Sequence, residues 1–338
     1  MKVTLKDIAD DTGYSISTVS RVLNGLDANP QTKKEILNSA RKLNYPVQNI
    51  VADAQPDKLL NVLLICGIEI GEFYASFFDG LNIAASREKV RLFVSSLKDD
   101  IPKVSEIRDK ISDEAFDGLI INLPRIGREH YRKLKEALPK NFPVVSNEIL
   151  NTPIFSTVGF DNYGGGYQVA RHFKESNYNS CGIIYGPADK NVSRQRAHGF
   201  KDYINYNKEM KLVWEFEGDF SFESGLKAFK DFENSGSKPR AIFACNDNMN
   251  HGFMQEAMVK GYDFPDEIAI VGFDDLPICK RHRPTMSSIH TNYEELGVVS
   301  IQRLKELMAN PKEPKTLLSL VPVELNVRTS SNSEKADN

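Results

Sequence analysis

Thr4-Leu5-Lys6-Asp7-Ile8-Ala9-Asp10-Asp11-Thr12-Gly13-Tyr14-Ser15-Ile16-Ser17-Thr18-Val19-Ser20-Arg21-Val22-Leu23-Asn24 reads as two short helices joined by a tight turn. Thr4 can cap the first helix, and Asp7 three residues on completes a capping-box pattern. Leu5, Ile8 and Ala9 share one face of that helix. Gly13 breaks the pattern where a left-handed turn costs least. Ser15 can cap the second helix, whose Val19, Val22 and Leu23 form the inward stripe, and Gly25 can end it. In a helix-turn-helix of this kind the second helix lies in the DNA major groove and its first residues meet base edges. Here those residues are Ile16, Ser17, Thr18 and Arg21. Two helices of an ordinary core would carry mixed Glu and Lys outside, whereas this outer face offers small hydroxyls and one Arg.

Asn29-Pro30 supplies a further cap and a suitable first helical residue. Ile36, Leu37, Ala40 and Leu43 then form an apolar stripe, so a third helix closes a head over residues 1–45, ended by Tyr45-Pro46. Residues 46–58, bounded by Pro46 and Pro56, read as a linker with room for about one and a half helical turns, too few to hold alone in water. From Leu59 the pattern changes. Apolar runs at Leu60–Cys66, Val90–Ser95, Gly118–Leu123, Pro143–Val145, Gly182–Tyr185, Ala241–Cys245 and Ile268–Phe273 alternate with helix-like segments. These include Phe77–Glu88, Arg128–Leu138, Gly166–Glu175, Arg194–Asn205, Phe222–Asn234 and Asn248–Lys260. Such alternation predicts parallel α/β sheets, and its length favours two of them with a cleft between. Ligands of open α/β sheets bind beyond the carboxyl ends of the strands, so polar residues just after strands are the site candidates.

The bulk numbers bound the partners. At 338 residues the chain exceeds one core, and its 41% hydrophobic and 26% charged content is that of a soluble globular protein. Net charge is −3, so a nucleic-acid surface must be local. Residues 1–50 hold seven Lys or Arg against five acids. Cys66, Cys181, Cys245 and Cys279 are dispersed, without CxxC or Cys/His clusters, which speaks for reduced buried thiols in a cytoplasmic protein and against a zinc site. The six histidines make no HExxH pair. No apolar run suits a signal or membrane span. No cofactor or metal is expected, and GxSxG and Walker patterns are absent, so no enzymatic role is read. The triple glycine Gly164–Gly166 lacks phosphate-loop spacing and reads as close helix packing. Residues 329–338 are polar and expected to be disordered.

Val3–Asn24 followed by Ala40–Tyr45 (ARKLNY) resembles the DNA-binding head of the lactose-repressor (LacI/GalR) family. Later landmarks keep that family's order: Gly159–Gly165 (GFDNYGG), Ile184–Pro187, Arg196–Phe200 (RAHGF), Phe243–Asp247 (FACND), Ile270–Asp275 (IVGFDD), Pro284–Ile289 and Pro322–Arg328 (PVELNVR). The resemblance spans essentially the whole chain. It implies an all-α helix-turn-helix head, a hinge helix, and an α/β periplasmic-binding-protein-like core at 59–328. That core would hold two parallel-sheet subdomains, an N-subdomain of about 59–159 and 291–320 and a C-subdomain of about 160–290 and 321–328, joined by three crossovers. It further implies a ligand-controlled transcriptional repressor that acts as a homodimer on palindromic operator DNA, its effector a sugar or related metabolite in the cleft. A solute-binding protein without a DNA role would share the core but not the head. Nothing in the tail resembles a leucine heptad for tetramers.

The resemblance assigns roles residue by residue. Arg21 matches the guanine-reading position, where a planar fork fits O6 and N7. Ile16 and Ser17 match the variable reading positions. Thr4, Ser15, Thr18, Ser20, Asn24, Asn29, Thr32 and Tyr45 are expected at phosphates, which set register. In the hinge, Ala54 stands where members commonly place a minor-groove leucine, so either Ile50 or Val51 substitutes in a shifted register or the operator is bent less. For the effector the resemblance points to Phe73, Tyr74, Arg196 and a stacking Phe220, and Lys190 is a candidate from its place in the loop after the Gly186-Pro187 turn. Asn246 and Asp274 end strands where they can bond hydroxyls, while Asp247 is expected to cap the next helix.

Overall fold

The computed structural model describes residues 3–23, 29–43, 59–67, 71–97, 103–113, 116–123, 127–311 and 316–332. Two compact units divide at Leu59. In the first, α1 (Leu5–Thr12) is opened by the Asp7 carboxylate, which accepts the Thr4 backbone N–H at 2.7 Å and its hydroxyl at 2.8 Å. Gly13 closes it in the left-handed region, φ 76°. The Ser15 hydroxyl accepts the Thr18 N–H at 3.1 Å and starts α2 (Ile16–Leu23). The Asn29 side chain accepts the Gln31 N–H at 2.9 Å at the start of α3 (Pro30–Lys42). Ile8, Ala9, Val19, Val22, Leu23, Ile36 and Ala40 make the buried core. A core this small needs edge support. Tyr14 donates to Glu35 at 2.7 Å, and Ser39 and Lys42 donate to Asp11 at 2.6 and 2.8 Å.

In the second unit β1 (Leu60–Gly67), β2 (Val90–Leu97), β3 (Gly118–Asn122), β4 (Val144–Ser146), β5 (Ser156–Phe160) and β11 (Leu318–Val321) form a parallel sheet in the order β11-β5-β4-β3-β1-β2. The second sheet has the order β12-β10-β9-β8-β6-β7. It is built from β6 (Ser180–Tyr185), β7 (Lys211–Glu217), β8 (Ala241–Ala244), β9 (Ala269–Asp274), β10 (Ser287–His290) and an antiparallel β12 (Glu324–Asn326). Each sheet is covered by helices. On the first lie α4 (Glu72–Arg87), α5 (Val104–Asp113), α6 (Arg128–Ala137) and α12 (Tyr293–Ala309). On the second lie α7 (Asn162–Glu175), α8 (Asn191–Tyr206), α9 (Phe222–Asn234), α10 (Asp247–Val259) and the single turn α11 (Ile278–Arg281). Burial on both faces explains the continuous apolar runs in the strands. The chain passes between sheets after β5, after β10 and between β11 and β12.

Of the triple glycine only Gly166 serves helix contact; Gly165 lies against Phe273 and Val323, and Gly164 against the capping Asp161. A Cβ on Gly166 would lie 1.9 Å from the Arg196 carbonyl oxygen, and one on Gly199 would lie 1.9 Å from that of Tyr163, so α7 and α8 touch backbone to backbone. Two expectations are corrected. The chain is not loose from residue 329: the Ser330 hydroxyl accepts the Ser287 N–H and donates to the Ile270 carbonyl, at 2.8 and 2.7 Å, and Ser331 donates to Ser287 at 2.7 Å. Small hydroxyls here complete the hydrogen bonding of β9 and β10 instead of facing water, and both serines are fully buried. Residues 333–338 lie outside the described residues. Helix α4 also begins at Glu72, a turn and more before Phe77, because Phe73 and Tyr74 fill the cleft side of its first turn.

Since the α7–α8 contact is between backbones, a methyl cannot be absorbed by a rotamer change. Gly199→Ala should lower unfolding free energy by about 1–3 kcal/mol in urea titration. Gly236→Ala, with open space around its Cβ, should change it by less than about 0.5 kcal/mol.

Candidate functional site

All seven cleft residues named from the sequence, Phe73, Tyr74, Lys190, Arg196, Phe220, Asn246 and Asp274, line one cavity of about 190 Å³ between the two sheets. Phe73 and Tyr74 come from the first turn of α4, and Lys190 caps the start of α8. Arg196 projects from the second turn of α8. Phe220 sits in the turn after β7 at φ 73°, and Asp274 ends β9 at φ 110°. Two side chains at positive φ in one cleft are backbone strain held by the surrounding structure. Gly186 leaves room for the Phe220 ring: a Cβ there would approach it to 2.1 Å.

Arg196 organises the floor. Its Nε donates to Asn162 Oδ1 at 2.9 Å, Nη1 to the Cys245 carbonyl at 2.7 Å, and Nη2 lies 3.0 Å from Asp274 Oδ1. The guanidinium stacks on Phe273, 3.7 Å from the ring centre. Lys190 Nζ lies 5.4 Å from the centre of the Phe220 ring. Asn246 caps α10, accepting the Met249 N–H at 3.0 Å and donating to the Phe220 carbonyl at 2.9 Å. These polar groups are thus aimed by second partners before any ligand arrives, which lowers the ordering cost of binding.

The expectation for Asp247 is overturned, since Asn246 takes the cap. Asp247 is fully buried behind the site, where it accepts the Leu276 N–H at 2.8 Å and the Ser288 hydroxyl at 2.6 Å. Burial raises both the Asp247 and the Asp274 carboxyls, and the charge on Asp274 raises Asp247 further while Arg196 lowers Asp274. Of the two, Asp247 therefore holds a proton more readily. Its neighbour Asp275 does the opposite. Burial alone would raise it, but His290, Arg328 and Asn326 hold it well below the usual carboxylate range, and it ties β9, β10 and β12 together beside the crossover.

Sequence reasoning missed part of the lining. Asn122 and Asn147 directly end or follow β3 and β4, and the rule that selected Asn246 and Asp274 would have found them. Asn147 donates to the Val158 carbonyl and the Ser300 hydroxyl, at 3.0 and 2.9 Å, and its carbonyl oxygen is buried without a partner. Glu148 gives no sequence signal. It is 6% exposed, and burial pushes its carboxyl up to about 7 against the pull of Lys190, Arg194 and Arg196. Tyr293 roofs the cleft with Phe73 and Phe160, at ring distances of 5.9 and 5.5 Å.

On the head, Ile16 is 49% exposed, and Thr4, Ser15, Ser17, Arg21 and Asn29 are exposed, with Thr18, Ser20 and Thr32 half-buried. Ser15 bonds the hydroxyls of Ser17 and Thr18, each at 2.8 Å. Of the hydroxyls expected at DNA, Ser15, Ser17 and Thr18 are gathered at the start of α2, while Ser20 lies one turn further on and Thr4 and Thr32 belong to α1 and α3. Asn24, Tyr45, Val51 and Ala54, with the whole 46–58 linker, lie outside the described residues. Among the described residues no group of three or more His, Cys, Asp or Glu is placed to hold a metal, and no helix is long and apolar enough to cross a membrane.

Glu148 gives a pH test. Its folded-state value lies above the unfolded one, so the folded protein holds more protons between about 4.5 and 7. The carboxyl costs nothing below that window and progressively lowers stability as pH rises through it, by up to about 3 kcal/mol, with no further loss above. The stability difference between Glu148→Gln and the parent chain, from denaturant titrations at pH 4.5 to 8, should grow across this window and then level off.

Residues 4–47 match the bacterial regulatory proteins of the lacI family, and residues 170–331 a periplasmic binding protein-like domain. The probable HTH-type transcriptional repressor ExuR of Bacillus subtilis is 30% identical over 336 residues, 97% of this chain and 98% of that one. The structure of the Lac repressor dimer bound to operator and the anti-inducer ONPF superposes with a TM-score of 0.72 at 23% identity, covering 98% of this chain and 99% of the other. A complex of the transcriptional regulator CelR with cellobiose does so at 0.70 and 23%, covering 98% and 100%. The chain belongs to the lacI family of bacterial regulatory proteins, transcriptional regulators with a helix-turn-helix DNA-binding head and a periplasmic-binding-protein-like core.

Proposed function

We infer that this regulator is a cytoplasmic repressor, without catalytic activity, that binds a palindromic operator as a homodimer and answers to a small polyhydroxylated metabolite, most simply a sugar, in the cleft. The observation that carries the effector reading is the convergence of Phe73, Tyr74, Phe220, Arg196, Asn246 and Asp274 on one cavity. Aromatic faces beside a few fixed donors and acceptors suit a ring with hydroxyl edges. The unpartnered oxygen of Asn147 offers one more acceptor to such a ligand. The Lac repressor structure with operator and the CelR complex with cellobiose lend support by analogy.

In this reading Arg21 pairs with a guanine, Ile16 and Ser17 read neighbouring bases, and Thr4, Ser15, Thr18, Ser20, Asn24, Asn29, Thr32 and Tyr45 position the head on phosphates. Residues 46–58, with Val51 and Ala54, are the segment assigned to the minor groove. The effector shifts the DNA-competent population only by its differential affinity for the two subdomain arrangements.

Two measurements test this. Binding of the full chain to a palindrome enriched from a random pool should weaken steeply with salt, and Arg21→Ala should cost about 1–3 kcal/mol of preference over scrambled DNA, read by fluorescence anisotropy. In a thermal-shift screen of pentoses, hexoses, disaccharides and nucleobases, the compound that raises Tm should lose its effect in Phe220→Ala and in Asp274→Asn. A hit indifferent to both removes the cleft assignment.

A further inference from the structure

The two sheets share one strand order, so elements correspond: β1 with β6, β4 with β9, α4 with α8. Across the cleft this correspondence produces the same contact twice. Glu72 is the first residue of α4, the helix after β1. Its Oε2 accepts the Ile278 N–H at 2.8 Å and Oε1 pairs with the Arg281 guanidinium, so it grips α11, the turn that follows β9. Asn191 is the first residue of α8, the helix after β6. Its Nδ2 donates to the Ile149 carbonyl at 2.8 Å, in the segment that follows β4. Each subdomain thus reaches from the start of its first helix to the far end of the other's fourth strand.

Both contacts are well founded locally. Asn191 is 8% exposed and Ile149 is 2% exposed, so neither the side-chain amide nor the carbonyl turns to water while the contact stands. Helix α11 is held from beneath by Asp247 through the Leu276 N–H. Glu72 itself is followed directly by Phe73 and Tyr74, Asn191 follows Lys190, and Ile149 lines the cavity, so both contacts sit at the edge of the cleft.

We propose that Glu72 and Asn191 are a reciprocal pair of latches that hold the cleft shut in the protein alone and set how much of the population is closed before an effector binds. Opening the subdomains about their three crossovers must break both, so the latches act as one device and each helps to keep the other engaged. The Arg281 pair is half exposed, with side-chain exposures of 64% and 34%, and salt screens it. The backbone N–H of Ile278 and the buried Asn191 bond carry most of the hold. An effector that bridges the cleft adds to the latched state, and one that wedges it apart works against both latches. The proposal concerns the ligand-free chain and does not depend on the identity of the effector.

The test is hydrogen–deuterium exchange with mass spectrometry on the full-length protein without DNA or added small molecule. In Glu72→Ala, exchange should rise about tenfold or more at residues 276–282 and equally at the opposite rim, residues 190–196, while β1 and β8 stay protected. Asn191→Ala should give the reciprocal result. A rise confined to the substituted rim, or no rise at either, overturns the proposal. Glu72→Gln, which keeps an oxygen for the Ile278 amide, should restore protection at both rims, and opening as large as in Glu72→Ala also overturns it. If Glu72→Ala does not fold, Asn191→Ala and Glu72→Gln decide the matter by the same criteria.

Discussion

The buried guanidinium of Arg196 is the constraint on which the ligand-binding unit depends. A charge taken out of water is tolerable only when every side is answered, and removing one partner exposes the full desolvation cost. Here Asn162 answers one edge, the Cys245 carbonyl another, Asp274 a third, and the Phe273 ring the flat face. Those four partners come from the start of α7, the end of β8 and the last two residues of β9. One side chain therefore fixes the relative position of three elements, and with them the floor of the cleft.

From that anchor the rest follows outward. Asp274 is drawn to Arg196, which leaves Asp275 to face the other way, toward His290, Asn326 and Arg328. One adjacent pair of carboxylates thus serves both the cavity and the strands where the chain crosses between subdomains. The strained φ of Asp274 and Phe220 belongs to this arrangement, since both are held by neighbours and not by their own preference. Coupling between cavity and crossover needs no long chain of contacts here: it is a matter of two consecutive residues.

Much of this was legible in the sequence because burial on both faces makes parallel strands read as plain apolar runs. The caps Thr4, Ser15 and Asn29 were legible for another reason: a capping side chain bonds within its own turn. The cleft residues after strands could be named because position along a strand decides what faces the ligand. The losses have physical causes too. Strand β7, Lys211–Glu217, lies at a sheet edge, and its short apolar run Leu212-Val213-Trp214 is set between Lys211 and Glu215. Glu148 and Asp247 look like ordinary surface acids, since burial of a carboxylate depends on neighbours far away in the chain. Asn246 and Asp247 are both good caps, and only the three-dimensional fit of Asp247 under Leu276 separates them. The buried serines at 330 and 331 resemble a solvated tail in composition, because the groups they satisfy lie some forty residues upstream or more.

The placement of the last strands bears on how such a chain is made. Strand β11 completes one sheet, β12 the other, and Ser330 staples β9 to β10. All three lie beyond residue 317, downstream of every strand they join. Both sheets therefore take an outer strand from one short stretch of chain, made after every strand it pairs with, and neither half of the ligand-binding unit is complete without it. A chain cut before Leu317 would keep α1, α2 and α3 but leave β5 and β10 as unpaired sheet edges.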